Sequence, residues 1–126
     1  MMENKQISVT PESLIQSVVN MAIESWRFGR VCDRMLMKLD AGEQSRYKSQ
    51  FSWFRKKMKE SLAEAGLRLV NVEGHSFDPG MAATPLNIEE FEASDTLMVD
   101  QMLEPIIMGG EGLVKTGTVT LRKVEI

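Results

Sequence analysis

One cysteine and one histidine among 126 residues exclude more chemistry than any motif present supplies. Cys32 has no second thiol for an internal disulfide and cannot build a clustered thiolate zinc site. His75 has no neighbouring His or Cys, so Cys–His and Ser–His nucleophiles lack a converging base. Aromatic residues make up only 6% of the chain, against ten methionines, which points to an aliphatic and adaptable interior. Apolar runs stop at three or four residues, far short of the roughly 18 that span a bilayer. Residues 1–10 hold no apolar signal core, so a cytoplasmic address and no membrane partner are expected. No metal or cofactor is expected either, and the chain does not read as an enzyme.

Charge is what the sequence has, at 26% of residues and a net −3. It is unevenly placed. Residues 1–67 carry 11 Lys and Arg against 8 Asp and Glu, and residues 68–126 carry 4 against 10. A basic first half is thus joined to an acidic second half.

Thr10-Pro11-Glu12-Ser13 has the chemistry of a helix start: a capping hydroxyl, proline at the first helical position and a carboxylate in the first turn. Leu14, Val18, Ala22 and Trp26, joined by Ile15, Val19, Met35, Leu36 and Leu39, recur at three- and four-residue spacing. This predicts a helix over 11–39 with a wide apolar surface and a weak point at Gly29. Asp40-Ala41-Gly42 breaks the pattern. A second helix is expected to run to Ala65 with a narrow seam of Tyr47, Phe51, Phe54, Met58, Leu62 and Ala65, and Gly66 stands where a C-cap glycine belongs. Two such helices need a partner to complete a core.

After Gly66 the pattern turns to strand. Leu67, Leu69 and Val72 open a short one, and Leu97–Leu103, Gly112–Lys115 and Thr118–Val124 follow. Gly109-Gly110-Glu111-Gly112 reads as a hairpin connection, and Pro105 as a strand end or edge. The expectation is an α+β chain: a tail over 1–10, a helical hairpin over 11–66 and a small β-domain over 67–126.

Gly110 to Lys115 lacks the third glycine of a dinucleotide fingerprint and the Gly-Lys pair of a phosphate loop, so it is a turn. Glu89, Glu90, Glu92, Asp95, Asp100 and Glu104 form an acidic rim; on an extended chain Asp95 and Asp100 face opposite ways. Arg27, Arg30, Arg34 and Lys38 share one face of the first helix, and Lys48, Arg55 and Lys59 one face of the second. They read as solvated stripes able to meet an acidic surface, while a pI near 5.2 argues against nucleic acid.

From Phe51 onward the order of features resembles the GrpE family, the nucleotide exchange factors of DnaK-type chaperones. Phe54 to Val70 looks like that family's last bundle helix and its exit, through Gly66, into a short strand. Phe77-Asp78-Pro79 matches an apolar-Asp-Pro motif, and Val114 to Leu121 sits in the place of the closing strand. Met81-Ala82-Ala83-Thr84 stands where the family usually has His-Glu-Ala, and the long paired stalk is expected to be missing. The resemblance implies a homodimer, a four-helix bundle formed through Leu14, Val18, Ala22, Trp26, Tyr47, Phe51, Phe54, Met58 and Leu62. It also implies a β-domain that contacts a DnaK-type ATPase through Met108, Glu111, Gly112, Leu113, Val114 and Lys115. The alternative is a scaffold subunit that keeps the fold without nucleotide exchange.

Overall fold

The structure, a computed structural model, describes residues 8–125; of the expected tail, residues 1–7 lie outside the described residues. Helix α1 spans Pro11–Leu36 and α2 spans Ala41–Glu64. Thr10 is extended and its Oγ1 accepts the Ser13 N–H at 3.0 Å, while Ser13 Oγ accepts the Thr10 N–H at 2.9 Å, a reciprocal capping box. The helix stops three residues before the expected Leu39. Lys38 and Leu39 donate instead to Met35 and Leu36, closing the end with tight turns. Asp40 both breaks the first helix and starts the second, since its Oδ1 accepts the Glu43 N–H at 2.9 Å. That bond holds the Asp40 carboxyl below its ordinary value. Gly66, at φ +75°, takes the left-handed conformation that ends α2.

Six strands follow: β1 Leu67–Val70, β2 Ala83–Pro85, β3 Leu97–Glu104, β4 Ile106–Gly109, β5 Gly112–Lys115 and β6 Gly117–Lys123. They form two three-stranded sheets. One is antiparallel with order β1-β4-β5; in the other, order β2-β6-β3, β6 lies parallel to β2 and antiparallel to β3. The expected α+β order of a helical pair followed by a β region is therefore what the chain adopts. The strands depart from expectation at several points: β3 runs one residue further, to Glu104, and β6 ends one residue earlier, at Lys123. The first strand ends at Val70, because Asn71 Oδ1 accepts the Glu73 N–H and turns the chain; β2 and β4 are additional strands; and β6 begins at Gly117.

The chain passes between the sheets three times, by the loop over 71–82 after β1 and, within a residue or two, at Pro105 after β3 and at Thr116-Gly117 after β5. Pro105 ends β3 as expected, and it is fully buried. At Gly117 an added Cβ would lie 2.8 Å from Met102 Cε, 2.9 Å from Ile106 Cγ1 and 3.0 Å from the Glu104 carbonyl, so the crossing is closed to any side chain.

One core lies within the β region, around Val72, Ala83, Val99, Met102, Ile106, Val119 and Leu121. The other joins Val19, Ala22 and Ile23 of α1 to Leu62 of α2, Leu67 of β1 and Ile107 of β4. The boundary expected at residue 66 is thus a change of secondary structure across a shared core. Polar bonds reinforce that junction. Trp26 Nε1–H donates to the Met102 carbonyl at 2.8 Å, and Glu73 Oε2 accepts both the Met102 N–H at 2.7 Å and Arg30 Nη1 at 2.9 Å. Both main-chain groups of Met102 are satisfied this way beside a register shift of β3 against β6. Arg27 pairs with Glu104, whose other oxygen accepts the Thr118 hydroxyl.

Candidate functional site

The β4–β5 hairpin gathers the residues expected to touch a partner. Gly109 pairs with Gly112 around the two-residue turn Gly110-Glu111, and Gly112 has φ +124°. Ile107 pairs with Lys115 but Met108 with Leu113, so β5 carries one extra residue. Leu113 is 50% exposed and Val114 42%, an apolar pair on the edge strand of the sheet. Val114 leans across Gly109, its Cγ2 only 3.0 Å from where a Cβ would stand. Glu111 is exposed at the turn, and the half-buried Lys115 has no ion-pair partner among the described residues. Met108 belongs to a different environment: it is half-buried and packs against the β core.

The residues expected in the dimer bundle also divide. Leu14, Tyr47 and Phe54 are exposed, whereas Val18, Phe51 and Met58 are half-buried. Ala22 and Leu62 are buried within the chain's own core, and Trp26 is bonded to β3. All three make contacts within the chain. The i, i+4 row through Leu14, Val18, Ala22 and Trp26 rotates around the helix and turns inward after its first turns.

In its place α1 exposes Leu14, Met21, Phe28 and Met35, at 57, 59, 58 and 58%. These recur every seven residues, with Val18, Ser25, Cys32 and Leu39 falling between them at four and three. At 3.6 residues per turn this stripe lies across the helix from Val19, Ala22 and Ile23. The heptad was the sequence signal for Met21, Phe28 and Met35. Trp53 on α2, 59% exposed, had no comparable signal.

Some of the charged groups are paired within the chain. Arg27 and Arg30 of the first basic stripe meet Glu104 and Glu73 of the acidic half, and Arg55 of the second meets Asp33 at 2.7 Å while stacking on Phe51. On the acidic rim Asp100 pairs with Arg122 and Asp95 with Lys123, both at 3.5 Å. A cavity of about 430 Å³ beside Phe77, Ile88 and Phe91 is bordered by Glu92 and Asp95. There the Glu92 N–H, bonded at 2.9 Å, and then Lys123 hold the Asp95 carboxyl below its ordinary value. Such a group is a stable anion, suited to an ion pair. His75 is exposed in its turn and Cys32 is half-buried on α1. Among the described residues no three His, Cys, Asp or Glu converge as a metal site, and no helix is long and apolar enough to cross a membrane.

Comparison with known proteins gives no match to a family model, a characterised protein or a solved structure.

Proposed function

We propose that this chain is a GrpE-like adaptor that regulates a DnaK-type ATPase, works as a homodimer and acts in the cytoplasm. The observation that carries the reading is the β4–β5 hairpin: Leu113, Val114 and Lys115, the last without an ion-pair partner among the described residues, lie on an open sheet edge. This is the element that the family resemblance makes the ATPase contact. The outer stripe of α1 supports the dimer, because a heptad of large apolar side chains in water is a seam awaiting a helix.

Mechanistically, such a protein makes or breaks no bond. It binds the open, nucleotide-poor ATPase better than the closed one, so nucleotide and adaptor weaken each other's binding reciprocally. The test is the release rate of fluorescent ADP from the cognate ATPase with and without the protein. Release is expected to accelerate. Lys115→Glu is expected to weaken binding in a calorimetric titration while the dimer stays folded; unchanged affinity refutes the assignment of Lys115.

A second reading is favoured by the shared core and the Trp26, Arg27 and Arg30 bonds, which tie the β region to α1. In it the chain is a non-exchanging scaffold or interaction subunit of a larger complex, and ADP release is unchanged.

A further inference from the structure

The opposite edge of the β1-β4-β5 sheet also lies open, and here it borders a groove. Strand β1 bonds only to β4, and none of the other main-chain bonds among the described residues reaches its outer edge. Beside it runs a cavity of about 520 Å³, walled by α1 and α2. Leu67, Arg68 and Leu69 all border this cavity. Successive strand side chains point to opposite faces, so a groove that touches three in a row runs along the strand's edge.

The walls add chemistry to that edge. Trp26 of α1 and Phe54 and Met58 of α2 supply apolar surface. Arg30, Arg55, Lys59 and Arg68 also line the groove, against only two carboxylates, Asp33 and Glu73. Those two are engaged by Arg55 and Arg30 at 2.7 and 2.9 Å. Lys59 and Arg68 have no ion-pair partner among the described residues, so the groove carries an uncompensated positive rim above an apolar floor.

We propose that this groove binds an extended segment of a partner protein, alternating apolar and acidic residues, which adds to β1 as a fourth strand. Backbone pairing supplies the affinity in this mode, and alternate side chains supply the specificity. One set of side chains settles on Trp26, Phe54 and Met58; the carboxylates meet Lys59 and Arg68. The proposed ATPase contact lies on β5, at the other edge, so the two sites can fail separately.

The experiment is a calorimetric titration of the full chain with a short acetylated peptide alternating valine and aspartate. Three further probes accompany it: the valine–lysine counterpart, the acidic peptide N-methylated at alternate amides, and dodecanoate. The acidic peptide is expected to bind at least about tenfold tighter than the lysine peptide, and Arg68→Glu to weaken it at least about tenfold. Lys59→Glu, on the exposed face of α2, is a second variant expected to act in the same direction. N-methylation is expected to abolish binding, since it removes the donors a strand needs. Equal affinity for the N-methylated peptide, indifference to both charge reversals, or binding of dodecanoate but of no peptide each overturns the proposal.

Discussion

Gly117 and Gly29 show how the same residue type is used in opposite ways. At Gly117 a methyl group meets the Glu104 carbonyl at 3.0 Å as well as two buried side chains. Gly117→Ala is therefore expected to cost about 1–3 kcal/mol, the usual penalty for overfilling a packed site. At Gly29 the nearest atoms are the ends of Arg55 and Phe51, at 3.2 and 3.3 Å, and these side chains can give way. Gly29→Ala also recovers helix propensity, which is worth about 1 kcal/mol, so it is expected to stabilise slightly. Urea titrations of the two variants check the contrast; equal destabilisation would contradict it. Only part of this was legible in the sequence. Gly66 announced itself by following a helical seam, whereas Gly117 sits in a plain Thr-Gly-Thr run and owes its importance to Met102 and Ile106, brought to it only by folding.

Elements with local punctuation were readable, and those without it were not. Thr10 with Pro11 started α1 through a bond to an amide three residues away, a pattern short enough to see in one dimension, and Asp40, read only as a break, caps α2 in the same way. Strand β4 was hidden because Ile106 to Met108 runs straight on from β3, with Pro105 alone marking a change of sheet. Strand β2 has three residues, one of them Pro85, and exists because β6 lies beside it. The docking of α1 on β3 was equally non-local, since Trp26 and Met102 are 76 residues apart. That junction makes its own prediction. Trp26→Phe keeps an aromatic ring but removes the indole N–H and trims the side chain that packs on the β core, leaving the Met102 carbonyl without its donor, a loss of about 1–3 kcal/mol. Hydrogen exchange is expected to quicken in α1 around residues 22–30 and in β3, with α2 beyond Phe54 little changed. A uniform change across the whole chain would mean that Trp26 is not a local tie.

For the molecule as a whole, the charge asymmetry and the unpartnered stripe describe two different surfaces. The basic and acidic halves meet at two ion pairs, Arg27 with Glu104 and Arg30 with Glu73, so part of the sign contrast read from sequence is used in holding α1 against the β region. The Leu14, Met21, Phe28 and Met35 stripe is not consumed. Its side chains repeat over three heptads, and a continuous apolar row of that kind favours self-association over exposure to water. Phe28 stands within the row and is 58% exposed in the single chain. Phe28→Glu therefore leaves the monomer's own cores untouched while setting a charge into the seam, where two copies would face one another without a counter-ion. Light scattering is expected to give twice the chain mass for the unaltered protein and the chain mass for the variant, with the far-ultraviolet dichroism of the monomer preserved. A variant that remains dimeric would move the interface off α1, and an unaltered protein that is monomeric at high concentration would remove the dimer from the adaptor reading and leave the β4–β5 hairpin to act alone.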